Sequence, residues 1–248
     1  DSLKTEESPL RNLQFANGAL AIGEKVLFNT QQKGMYLFRS PTDYQKVSDT
    51  IVSTCNFLTS GRVLYTAVQG IGLAYKALEH LEIHTPWRRV ADKEGLALNH
   101  CQGIAEDSQG NIWVISMQGI ARYIPGKDKA QTLFFDKKQT PIRGYAILKD
   151  SFGTLWFGTE KGQLYRWVPK GTNQLDPANF QIVNHPLFTR NIRSIVFLHQ
   201  WRDYLIVGVS NHILVLSLSD FYKGKIRVRY LNPYAMNLQS PIEHTCVA

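Results

Sequence analysis

Apolar and polar positions alternate in short runs along much of this chain, and one pattern of them occurs twice almost unchanged. Residues 104–113 (Ile-Ala-Glu-Asp-Ser-Gln-Gly-Asn-Ile-Trp) and 147–156 (Ile-Leu-Lys-Asp-Ser-Phe-Gly-Thr-Leu-Trp) share their apolar, Asp-Ser, Gly and Trp positions. The tryptophans, Trp113 and Trp156, stand 43 residues apart, a period that marks a repeat architecture. Six residues beyond each tryptophan comes a glycine, Gly119 or Gly162, and then a second apolar and aromatic run over 120–123 or 163–167. The unit reads as strand, turn, strand, turn, strand.

Residue types explain the unit. Asp107 and Asp150 open tight turns, because a short carboxylate accepts hydrogen bonds from backbone N–H groups two residues on, while Gly110 and Gly153 supply the positive φ that such turns often need. The runs after the turns, 111–115 and 154–158, are rich in β-branched and aromatic residues, as strands buried on both faces tend to be. Trp113 and Trp156 are expected to pack between repeats rather than to serve as a ligand platform.

Fainter copies emerge when the pattern is slid along the chain. Residues 63–70 fit with Leu64 at the tryptophan position, 26–34 fit around Leu27 with one residue inserted, and 204–212 fit around Ile206. Four strands per repeat are predicted: for the clearest copy 102–106, 111–116, 120–124 and 131–135; for the next 145–149, 154–159, 163–168 and 180–184; for the last 194–198, 204–209, 213–218 and 226–231. No segment sustains an apolar period of 3.6, so helix should be scarce. The class is all-β, and antiparallel four-stranded sheets at this period close most naturally as the blades of a β-propeller. Five blades are visible, over about 15–50, 51–98, 99–142, 143–191 and 192–243, after an N-terminal extension or leading strand at 1–14. Residues 244–248 resemble the start of a further blade, as 99–105 do, so the chain is expected to stop inside a repeat and to be part of a longer protein. Its polar first residues carry no signal-peptide core, and neither a signal peptide nor a membrane span is expected.

Composition narrows the class little further. With 248 residues, 44% hydrophobic and 19% charged, the chain is an ordinary globular sequence rather than a disordered one. Cys55, Cys101 and Cys246 form no Cys-x-x-Cys pair, which argues against a zinc site or a disulfide scaffold. A formal net charge of +8 favours anionic partners. None of the nucleic-acid motifs is present, and the one basic run, 223–229, alternates basic with apolar or small residues as a protected outer edge strand would.

The segments 104–123 and 147–167 resemble the two-component regulator propeller repeat, whose pattern is an apolar residue, Asp-x-x-Gly-x-(Ile/Leu)-Trp, a strand of small residues, Gly and an aromatic. Such repeats make up the periplasmic sensor region of hybrid two-component histidine kinases typical of gut Bacteroides. The resemblance implies seven-bladed propellers, a periplasmic location, recognition of an oligosaccharide, signalling through a homodimer to a kinase outside this chain, and membrane attachment only through segments absent here. No cofactor is implied. The second repeat departs from the pattern, with Leu58-Thr59-Ser60-Gly61 in place of the Asp turn.

Spacing adds a candidate site. Thirteen residues before three anchors stand His100, Arg143 and Arg193. In a propeller the first strand of each blade lines the central channel, so repetition would set these three on its rim in an arc. Loops carrying Gln118, Lys161, Asn211 and His212 should open on the same face. Such an arc could hold carboxylates or sulfates by charge-assisted hydrogen bonds, which points to an acidic oligosaccharide. The alternative is that these polar residues are solvated or bonded to nearby carbonyls. Catalysis has little support: the two aspartates are explained by turns, no paired carboxylates are evident, and His80, His84, His185 and His199 lack metal-ligand spacing. No metal site is expected. A propeller lyase of the streptogramin type and a pure protein-interaction scaffold remain as alternative functions.

Overall fold

The computed structural model describes residues 16–30, 34–49, 54–68, 72–90, 101–116, 119–127, 129–133, 144–169, 176–189, 194–210 and 212–231. Among them lie five four-stranded antiparallel sheets, each with its strands in chain order. The first holds β1 (Ala16–Ile22), β2 (Lys25–Thr30), β3 (Gly34–Phe38) and β4 (Tyr44–Ser48); the second holds β5 (Thr54–Ser60), β6 (Val63–Val68), β7 (Gly72–Ala77) and β8 (Arg88–Arg89). The third holds β9 (Cys101–Glu106), β10 (Ile112–Ser116), β11 (Gly119–Ile124) and β12 (Lys129–Leu133). The fourth holds β13 (Gly144–Lys149), β14 (Leu155–Thr159), β15 (Leu164–Trp167) and β16 (Phe180–Ile182), and the fifth β17 (Ile195–Trp201), β18 (Tyr204–Val209), β19 (His212–Ser217) and β20 (Val228–Leu231). Among the described residues helix is confined to single turns, including α1 (Pro186–Thr189) and α2 (Leu218–Tyr222). Leu218, expected to end a strand, instead opens α2, where the Ser217 side chain accepts from the Asp220 N–H.

The sheets are propeller blades. The innermost strands of successive sheets pack side by side, β1 on β5, β5 on β9, β9 on β13 and β13 on β17, and no comparable contact joins β17 to β1 among the described residues. Apolar cores therefore lie between sheets rather than inside any one of them. Leu27, Met35 and Leu37 of the first blade meet Leu64 and Val68 of the second; Tyr65 and Leu73 meet Ile104, Ile112 and Val114 of the third. Trp113 and Ile115 meet Leu155 and Phe157 of the fourth, and Trp156 and Leu164 meet Ile195, Leu205 and Val207 of the fifth.

The register corrects one anchor. Trp113 pairs with Arg122 and lies three residues before Ser116, which closes the hairpin onto Gly119. In the second blade Val68 closes onto Gly72, so the residue three before it is Tyr65, not Leu64. Tyr65 faces the following blade as Trp113 does, whereas Leu64 faces the preceding one. A one-residue insertion in the hairpin displaces the glycine count, and a slip of one along a strand reverses the face.

Among the described residues both end faces of the array are less covered than the inner ones: Ile206 of the fifth blade is half-buried where Trp113 and Trp156 are fully buried. Leu64, Ile112 and Leu205 are fully buried by the preceding blade, while Val26 at the same position of the first blade is 41% exposed. Around it Phe28, Tyr36, Phe38 and Tyr44 touch one another ring to ring on that open face.

One brace recurs in the two strong repeats. Asp107 Oδ1 accepts from the N–H groups of Gln109 and Asn111, both at 2.9 Å, and its Oδ2 accepts from the Trp113 indole at 2.8 Å. Asp150 does the same with Phe152, Thr154 and Trp156 at 2.9, 2.9 and 2.8 Å. Gly110 and Gly153 have φ of 78° and 84°. A fully buried indole N–H needs an acceptor, and the turn carboxylate six residues upstream supplies it. The carboxylate thus ties the turn to the interblade core.

Asp150 carries a further load. The Tyr222 hydroxyl, on α2 of the fifth blade, donates to Asp150 Oδ2 and lies 2.7 Å from Thr154 Oγ1, which donates back to it. Burial, and then donation to the carboxylate, pushes the phenol pKa above its ordinary 10.0. A raised phenol pKa means the fold binds the neutral form, so this contribution is whole below pH 10.0 and is lost as pH rises through the folded value. Tyr222→Phe should lower stability by about 1–2 kcal/mol at neutral pH and flatten the alkaline loss of stability seen in urea titrations. An unchanged alkaline slope would contradict this.

Candidate ligand-binding rim

Because the blades are antiparallel, the starts of the inner strands and the second-to-third-strand hairpins share one end of the array. The hairpins are held there by hydroxyls: Ser116 Oγ accepts from the Gly119 N–H at 3.1 Å, and Thr159 Oγ1 accepts from the Gln163 N–H at 3.0 Å. Ser194, immediately before β17, donates from Oγ to the Glu160 carbonyl at 3.0 Å. That bond seats the start of the fifth inner strand against the 160–162 hairpin of the fourth blade.

The arc expected from spacing falls mostly outside the described residues. His100, Arg143, Arg193, Gln118 and Asn211 all lie there. Lys161 and His212 are described, and both stand on this end. Lys161 is exposed at its hairpin tip. His212 is half-buried with its ring 4.8 Å from that of Tyr230, and burial holds its pKa below the ordinary 6.5. The imidazole is therefore neutral at physiological pH, able to donate or accept one hydrogen bond but adding no positive charge.

The turn and packing residues Asp107, Gly110, Asp150, Gly153, Trp113 and Trp156 sit away from this rim, at the opposite hairpins and in the cores between blades. Two features escaped sequence reasoning. The indole bond to Asp was readable, since both copies keep six residues from Asp to Trp. The other had less signal: Arg122 and Arg166 pair directly across from the tryptophans and donate to Gln131 and Gln181 of the outer strands at 3.1 and 2.7 Å. Arg122 lies over the Trp113 ring at 5.6 Å and is pushed below its ordinary pKa by burial. Both guanidiniums are spent on the blade, not on the rim.

Among the described residues no three His, Cys, Asp or Glu side chains come together as a metal site, and no helix is long and apolar enough to cross a membrane.

Residues 137–161, spanning the Asp150 turn, Trp156 and Lys161, match the two component regulator propeller family. No curated protein matches the chain in sequence. Among solved structures it is similar to the extracellular domain of a B. thetaiotaomicron protein described as a hybrid two component system, at 19% identity and a TM-score of 0.68, over 92% of this chain and 29% of that one. A second such extracellular domain from B. thetaiotaomicron aligns at 16% identity and a TM-score of 0.65, over 92% and 30%. PorZ, a surface component of the type-IX secretion system of Porphyromonas gingivalis, aligns at 13% identity and 0.62, over 86% and 28%. At these identities the likeness is one of fold, and the chain spans less than a third of each of these structures.

Proposed function

We propose that this chain is a non-enzymatic, ligand-sensing part of a periplasmic sensor of the hybrid two-component type. The observation that carries the reading is the regulator-propeller match over 137–161 within five blades that align, over 92% of the chain, with extracellular domains described as belonging to such systems. The ligand is an oligosaccharide, and the net charge of +8 favours an acidic one. Arg143 and Arg193 would grip its carboxylates or sulfates from the rim, where a guanidinium makes paired bonds that a lysine cannot, with Lys161 beside them. In a longer protein, further blades would cover the open faces of the first and fifth sheets, and the signal would leave through a homodimer to a histidine kinase.

Calorimetric titration against a panel of oligosaccharides tests this. Arg143→Ala and Arg193→Ala are each expected to weaken binding of an acidic oligosaccharide by about tenfold or more, with the melting temperature unchanged. Isotherms unaltered in both variants would remove the rim as the site.

A further inference from the structure

One lysine lies where the repeat calls for an apolar side chain. Lys76 pairs with Leu64 across the second hairpin of its blade, and the residues at the matching place are Phe38 in the first blade, Tyr123 in the third and Leu216 in the fifth. Lys76 is only 4% exposed, on the face it shares with Leu64 and Ala74, which meets the first blade.

The ammonium is poorly provided for. Lys76 Nζ donates to the Ile83 carbonyl at 2.9 Å, its one acceptor among the described residues. Continuing the β7–β8 register by one residue beyond Tyr75 and Arg88 puts Trp87 across from it, with Nζ 5.9 Å from the centroid of that ring. The Trp87 indole N–H is enclosed too and has no acceptor among the described residues. Buried donors are nearly always paired, and an ammonium taken out of water needs a counter-charge. The ion pairs around 78–87 leave Lys76 out: Glu82 is held by Lys25 and Arg39, Asp43 by Arg39, and Glu79 by Arg62. Burial holds the Lys76 pKa below its ordinary 10.5.

We propose that a small monovalent anion of chloride's size binds between the first and second blades, held by the Lys76 ammonium and the Trp87 indole N–H. It supplies what the protein does not, a negative charge and lone pairs for both donors. A water molecule offers the lone pairs without the charge, and shedding the lysine proton removes the charge but leaves the indole N–H without an acceptor. Sulfate or phosphate brings four oxygens and more charge than one ammonium balances. Lys76 stands next to last in β7, whose first residue, Gly72, closes the hairpin at the rim. The anion site is therefore at the other end of the array and independent of the sensor reading.

Thermal unfolding of the 248-residue chain in sodium chloride and in sodium gluconate, at one ionic strength, tests this. Chloride at several times its Kd should raise the melting temperature by about 2 °C or more. Lys76→Met should abolish that shift, while Lys223→Met, which removes an exposed lysine, should keep it. In gluconate Lys76→Met should melt no lower than the unaltered chain, since an apolar side chain fills this place in other blades. Trp87→Phe keeps a ring but drops the N–H, and should weaken chloride by about tenfold, as read from the broadening of the chlorine NMR line. That reading does not depend on Lys76→Met folding. Equal melting in the two salts, a shift that survives Lys76→Met or is lost equally in Lys223→Met, or chloride binding unchanged in Trp87→Phe overturns the site. Each of these results leaves the sensor reading standing, because Arg143 and Arg193 take no part.

Discussion

Replacing Trp156 with alanine should cost about 3–5 kcal/mol of folding free energy, the range for truncating a large aromatic in a core that cannot collapse. Trp156 has no exposed surface, packs edge-on to Phe221 at 5.1 Å, and shares its core with Phe188, Ile195, Leu205 and Leu214. The walls of that core are two sheets whose strands are fixed by their own hydrogen-bond ladders, so the vacated space stays open. The change also removes a donor from Asp150. Equilibrium unfolding in urea reads the loss, and a cost under about 1 kcal/mol, the scale of a surface substitution, would contradict the packing role. Trp113→Ala should fall in the same range, since its ring meets Phe157, Trp167 and Phe180.

Asp150→Ala is expected to cost about 2–4 kcal/mol, because it strands several donors at once rather than deleting one bond. The Phe152 and Thr154 N–H groups lie near solvent and can turn to water; the Trp156 indole is buried and has no such recourse. Asp107→Ala should cost less. Asp107 also braces a turn and an indole, but it is only partly buried where Asp150 is 3% exposed, and Asp150 holds Tyr222 of the next blade as well. Parallel urea titrations test the order, and equal or reversed costs would show that the carboxylate acts only on its local turn.

Much of this architecture was legible because its causes are local. A turn aspartate, a glycine at positive φ and a tryptophan at fixed spacing each express a constraint within a single hairpin, and the repetition of that constraint implied a sheet that must bury both faces. The first and second blades were harder to read because two-residue turns at Gly23 and Gly61 replace the Asp turn, and in the second blade one extra residue in the hairpin from Val68 to Gly72 shifts the glycine count and hid Tyr65 behind Leu64. Contacts between blades left no trace in spacing. Tyr222 reaches Asp150 across 72 positions, and Gln200 reaches Ser151 across 49. For the rim, repetition placed Lys161 and His212 at one end of the array, but the burial that lowers the pKa of His212 is encoded in no spacing.

Hydrogen exchange of the indole N–H groups tests the central claim, that an aspartate-held tryptophan locks each strong repeat into the core between two blades. Trp113 and Trp156 should exchange only with global unfolding, while Trp201, more than half exposed, should exchange freely. Exchange of Trp113 and Trp156 as fast as that of Trp201 would contradict the account.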